Sequence, residues 1–295
     1  MSDHDDHDDH DDHDHDHDDE GRRVPDGVPD AGRAELATLL LALQFTDSSF
    51  PSGMYTLSHG LEGLRQLGAV EGGAVKGGAG AGAGAGARSV AEAVHGILRY
   101  SAGPAEATAL ALAWEATHEL APPPAADPAC TDTDTDTAAL LAALTRVDRR
   151  LHATRLTREF RDGATRTGKQ VLDLAAELLD DPVVSAWNDH VRARLSPGSQ
   201  SVVMGVVYAR GGLSQREAVA ADLTALVISL SGAALRLRLA DHRTAQALVR
   251  GAAPVIAEVA DAAVGRSLEE LGGFAPVLDL ASCHHERADA RLFAS

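Results

Sequence analysis

The chain predicts an all-α fold, a single helical domain behind an Asp/His-rich N-terminal tail. Three observations carry that prediction. Apolar residues make up 44% of the sequence but aromatics only 3%, so the core must be built from small and aliphatic side chains. Leu and Ala among them lose little freedom in a helix. Apolar positions recur at three- and four-residue steps along most of the chain. Only Ser201–Tyr208 (SVVMGVVY) competes as a strand, and no second strand is evident to pair with it.

Residues 1–33 read as a disordered tail and linker, because Asp, His, Gly and Pro bury nothing that would offset ordering. The folded part, 34–295, is expected to start near Ala34, where AELATLLLALQ is apolar at helical spacing. A loop follows, FTDSSFPSG, punctuated by Pro51 and Gly53. Two low-complexity stretches, 72–87 (Gly/Ala) and 121–137 (a proline run, then a Thr-Asp repeat), read as inserted surface loops. Loop closure costs little more as a loop lengthens, so a helical domain tolerates both.

Helices are expected over Ser89–Ser101, Ala105–Leu120 and Thr137–Leu156. Val171, Leu172, Ala175, Leu178 and Leu179 continue the pattern, and Asp180-Asp181-Pro182 ends it. Ser214 begins a long apolar helix to Leu239, with Glu217 placed three residues on, as a capping box requires. Another spans Thr244–Leu271, with Pro254 a candidate kink.

The net charge of −18 is unevenly distributed. Residues 1–20 hold eleven Asp and one Glu, leaving −6 for the rest. A −6 body lacks the concentrated basic footprint of a nucleic-acid-binding protein. Cys130 and Cys283 are too few and too far apart for a disulfide framework or a Cys-rich zinc site. The N-terminus lacks the regions of a signal peptide. No uninterrupted apolar run reaches the ~18 residues that span a bilayer. The chain is expected to be cytoplasmic.

His4, His7, His10, His13, His15 and His17 make the tail a candidate metal binder. Imidazole suits nickel, zinc and copper, and the interleaved carboxylates concentrate cations. A solubilising tail with incidental His is the plainer alternative. His59 with Glu62, and His285 with Glu286 and Asp289, are spaced to share helix faces. Solvated or interface-capping roles suit these groups better than catalysis. No HExxH, GxSxG, P-loop or dinucleotide fingerprint occurs in the chain. Residues 146–170 are locally basic, which fits a solvated helix or one facing an acidic protein partner.

Two end segments resemble the UreF family. Its early LPxGxFxYSxGLE pattern is met by Pro51, Gly53, Ser58, Gly60, Leu61 and Glu62, with Tyr55 in place of Phe and Leu57 in place of Tyr. Glu159-Phe160-Arg161 and Gly168-Lys169 resemble a mid-chain ExR…G pattern, and Arg236, Leu237 and Gln246 resemble RLxPLGQxxxQ. Pro276, His285-Glu286 and Arg291-Leu292-Phe293-Ala294-Ser295 resemble P…HE…RLFxS.

The resemblance implies an all-helical, dimeric adaptor in urease maturation, not an enzyme. Such an adaptor joins UreD (also called UreH) to the GTPase UreG and helps load nickel into apo-urease. It also implies that Tyr55, Ser58, Glu62, Arg236, His285, Glu286, Arg291, Leu292 and Phe293 serve partner binding. The C-terminal segment would serve UreD, and Arg236 would serve UreG. The apolar Leu292-Phe293 end is expected to dock in a partner groove rather than fold back on its own core. No cofactor is required, although the tail is expected to bind Ni2+. Nucleic acid and membrane are not expected partners. The alternatives are a stand-alone nickel buffer or metallochaperone acting through the tail, and a metal-responsive helical regulator.

Overall fold

The computed structural model describes residues 30–71, 88–121 and 133–295. Among them, eleven α-helices pack around one apolar core. The rest of the regular structure is a short 3-10 turn, a π-helical stretch and a two-residue parallel strand pair, Val70–Glu71 against Arg88–Ser89. The fold is all-α, as the composition predicts.

α1 (Asp30–Thr46) starts before the expected Ala34. After the Met54–Thr56 turn, α2 (Leu61–Gln66) is short. α3 (Val90–Ile97) and α4 (Thr108–Leu120) are not two separate helices, as the sequence suggests. A π-helical stretch, Leu98–Ala107, joins them into one rod. Pro104 lies inside that stretch and explains it, because proline has no N–H and its ring crowds the carbonyl four residues back. That carbonyl is Tyr100's, and it accepts the Phe274 N–H instead, at 3.0 Å.

α5 (Thr133–Thr154) begins inside the Thr-Asp repeat, so residues 133–137 are helix and not loop. Asp136 near its start suits the positive end of the helix dipole. Residues 72–87 and 122–132, the remainder of both expected inserts, lie outside the described residues. α6 (Arg158–Leu179) stops at Asp180, whose φ is +46°. Asp181 then caps α7 (Pro182–Arg192), accepting from the Val183 and Val184 N–H groups at 2.9 and 3.1 Å.

α8 (Gln200–Arg210) settles the strand question. Ser201–Tyr208 is helical and buried on every side, which is why it lacks a polar face. A Cβ on Gly205 would lie 2.6 Å from the Leu110 carbonyl oxygen, so α4 and α8 approach at a distance only glycine permits. α9 (Gln215–Arg236) carries the expected Ser214–Glu217 capping box. By length and composition it could span a bilayer, but 44% of its most apolar window is buried among the other helices. α10 (His242–Ala263) contains Pro254 and ends short of the expected Leu271. α11 (Pro276–His285) lies across α2.

Candidate functional site

Glycines in and beside the first motif decide where the two ends of the domain meet. Gly60 has φ +84°, the left-handed region that side chains resist. A Cβ there would lie 2.4 Å from Leu278 Cδ1, and one on Gly63 would lie 2.4 Å from the Ala281 carbonyl oxygen. α2 and α11 therefore cross with almost nothing between their backbones. The crossing sets Glu62, in the first turn of α2, against His285 at the end of α11.

His285 is 1% exposed and sits between two carboxylates. Its Nε2 is 3.0 Å from Glu62 Oε2, and its Nδ1 is 2.9 and 3.0 Å from the two Glu159 oxygens. Two acceptors call for two N–H donors, so the ring is an imidazolium. The Glu159 hydrogen bond raises its pKa, and with Glu62 it outweighs the opposing effect of burial. Glu62 also accepts the N–H groups of Leu292 and Phe293, each at 2.9 Å. Burial pushes the Glu62 carboxyl up, but the Leu292 N–H, His285 and the Phe293 N–H together hold it below its ordinary value. Arg291 stands 3.7 Å from Glu159. Two carboxylates and two cations thus balance. With both nitrogens committed, His285 has no lone pair for a metal or for a substrate proton.

The last residues are strapped onto this centre. The Ser58 N–H and hydroxyl both donate to the Ser295 carbonyl, each at 2.6 Å, and the Ala294 N–H donates to Thr56 at 2.9 Å. Phe293 is buried under the Arg236 guanidinium, 4.3 Å from its ring centre. Arg236 also donates to the Tyr55 carbonyl and, at 3.2 Å, to that of Gly232. Glu286 accepts the Glu159 N–H at 2.8 Å and so caps α6 from outside. The hydroxyl of Thr157, the residue before α6, is spent on Ser282 at 2.8 Å.

These contacts divide the residues expected at a partner interface. Tyr55, Arg236, Arg291 and Leu292 stand at the surface, Tyr55 and Leu292 at 66% and 61% exposure. Ser58, Glu62, His285 and Phe293 are buried, and Glu286 is half-buried. The Leu292-Phe293 end is therefore folded onto its own core rather than presented whole. Phe293 anchors it and Leu292 faces out.

Neither His/acid pair forms a shared helix face. His59 lies before α2 at φ +50°, its Nε2 3.2 Å from Ser229 Oγ, and burial pushes its pKa down to about 4. His285 turns inward to the two glutamates while Asp289 is exposed beyond the helix end. Among the described residues, no group of three or more His, Cys, Asp or Glu is placed to hold a metal ion. His4, His7, His10, His13, His15 and His17 lie outside the described residues.

Sequence reasoning missed a second polar cluster. A cavity of about 110 Å3 is lined by His59, Glu106, Arg155 and Asp222, among others. Arg155 stands 3.4 Å from Glu106. Burial, then the charge of Glu106, pushes Asp222 up to about 7. These groups come from separate elements, and no spacing in the sequence announces their meeting.

A family model described as UreF matches residues 85–274, more than half of the chain. The urease accessory protein UreF of Trichodesmium erythraeum is 26% identical over 262 residues, which is 89% of this chain and 99% of that protein. That of Yersinia enterocolitica serotype O:8 is 24% identical over 257 residues, or 87% and 98%. Urease accessory protein UreF 1 of Brucella melitensis biotype 1 is 28% identical over 155 residues, or 51% and 63%. The helical architecture, the residues strapped together at its two ends and this match place the chain in the UreF family.

Proposed function

We propose that this chain is a non-enzymatic adaptor of urease maturation, joining UreD (UreH) to the GTPase UreG so that nickel reaches apo-urease in the cytoplasm. One observation carries the reading beyond family membership. The charge-balanced Glu62–His285–Glu159 centre uses up its polar groups internally, and what it fixes at the surface is a binding edge of Tyr55, Arg236, Arg291 and Leu292. A site built for chemistry would leave an acid, base or lone pair facing a substrate. This one leaves an exposed tyrosine and two guanidiniums, residue types that anchor protein interfaces, beside an exposed leucine. Nickel is cargo in this scheme, and the chain acts as a homodimer.

The test is urease activity and nickel content in cells lacking only this gene, complemented by the full chain, by residues 34–295, or by Leu292→Arg. Apo-urease without the gene, rescued by the full chain but not by the Leu292 variant, is the expected result. Full nickel loading without the gene would refute the adaptor role. The His-rich tail acts as a local nickel store. Its removal should raise the nickel concentration needed for activation, and an unchanged nickel titration would dismiss that role.

A further inference from the structure

The locally basic 146–170 stretch is left unused by the adaptor reading, and the fold gives it a partner surface. α5, α6, α7 and the loop between α7 and α8 enclose two adjoining grooves of about 490 and 320 Å3 that share Lys169 and Arg194. Arg149 lines one and Arg192 the other. One carboxylate, Asp173, lines them against these four cations, and it is already paired with Arg192 at 2.5 Å.

The loop is built to stay in place. Asp148, fully buried, accepts from Ser196 Oγ and the Gly198 N–H at 2.6 Å and from the Ser199 N–H at 3.0 Å. Arg149 donates to the Leu195 carbonyl at 3.0 Å. Arg194 is held at φ +62°, a conformation a non-glycine residue adopts only where its surroundings impose it. His152 also lines the groove, and its buried Nδ1 has no hydrogen-bond partner among the described residues. The result is a pre-formed, cation-lined surface on a body whose net charge is −6.

We propose that this face docks the chain's own Asp/His-rich segment, residues 1–20. Charge complementarity selects it, since the segment carries twelve acidic residues and no Lys or Arg. Reach permits it. Thr38 of α1 bonds the Gly211 carbonyl at the far end of α8 from the groove loop. An eleven-residue helix is about 16 Å long, and the segment from Asp30 to Thr38 adds roughly 12 Å. A coil of 29 residues, the number that precede Asp30, would span roughly 30 Å. Tethering then makes the encounter intramolecular and raises the effective concentration to about millimolar.

The sequence supplies an assay. The chain has two lysines, Lys76 and Lys169, and Lys169 sits where the two grooves join. Carbodiimide treatment of the full chain at low salt, read by mass spectrometry, should join carboxyls of residues 1–20 to Lys169. The yield should fall about tenfold in Arg149→Glu/Arg194→Glu and in 0.5 M salt, which shortens the screening length to roughly 4 Å. The circular dichroism of the double variant should match that of the parent chain, as both side chains are exposed. Absence of the Lys169 link at low salt, or equal yield in the double variant, would overturn the proposal. So would links formed only between copies in a mixture of isotope-labelled and unlabelled protein, which would make a second copy the source of the tail.

Discussion

Glu62→Gln isolates what the buried carboxylate contributes while keeping its shape. Glu62 Oε2 receives the Phe293 N–H and His285, and the Leu292 N–H is shared between Oε1 at 2.9 Å and Oε2 at 3.2 Å. A glutamine can keep its oxygen facing Phe293 and His285, but its amide NH2 must then face the Leu292 N–H, donor against donor. The shorter arm of the Leu292 hydrogen bond is replaced by a donor–donor contact, and the remaining charge-assisted bonds are weakened. Such bonds contribute about 1.5–3 kcal/mol each and do not add fully, so the loss is set at about 2 kcal/mol. Most of that cost falls on the docked state of the last few residues, because the Leu292 and Phe293 N–H groups are two of the three donors the carboxylate receives. Opening of the terminal segment should rise about 30-fold. Amide exchange at Leu292 and Phe293, together with carboxypeptidase release of Ala294 and Ser295, measures it. Rates within about threefold of the parent chain would refute the reasoning, showing that Phe293 burial under Arg236 holds the segment by itself.

Three further outcomes follow from the same geometry. His285 has a raised pKa, so its stabilisation of the docked segment is complete below the ordinary imidazole value and is lost as pH rises through the raised one. The difference in carboxypeptidase release between the parent chain and His285→Gln should therefore shrink as pH is raised from 6 to 9. A difference that grew with pH would contradict the imidazolium. Asp222, with its pKa pushed to about 7, binds a proton more tightly in the fold than in the unfolded chain, so it costs stability as pH rises from about 4 to 7. Asp222→Asn should raise the melting temperature at pH 8 and leave it unchanged near pH 4, and equal shifts at both would place the effect elsewhere. Gly63→Ala would push α2 off the Ala281 carbonyl, an overpacking cost of about 2 kcal/mol. In a domain of this size that lowers the melting temperature by roughly 4–8 °C, and an unchanged value would mean that the crossing has slack.

What could be read in advance divides by distance along the chain. The Ser214–Glu217 capping box and the Asp180-Asp181-Pro182 break are local devices, and both sit where the spacing predicts. Ser201–Tyr208 was ambiguous because a segment buried on all sides has no periodicity to report. The rod through Pro104 was missed because proline argues for a break, and only the carbonyl's second use by Phe274 reveals the continuation. The candidate site was legible as two motifs but not as one object. His285 pairs with residues 126 and 223 positions away, and no spacing rule spans that range. Asp148 lies within the locally basic 146–170 stretch, and its burial under the groove loop depends on contacts with Ser196, Gly198 and Ser199 some fifty positions away.

The π-helical stretch leaves a last consequence in residues 272–274. The Gly272 N–H donates to the Pro104 carbonyl at 2.9 Å and the Phe274 N–H to that of Tyr100, while a Cβ on Gly273 would lie 2.7 Å from the same Tyr100 oxygen. The segment is thus gripped by its main chain alone, with one position restricted to glycine. The Phe274 ring takes no part in that grip and is 82% exposed. Its identity can drift without loosening the fold, so whatever aromatic or charged group the position carries can be tuned to a neighbour while its location stays fixed.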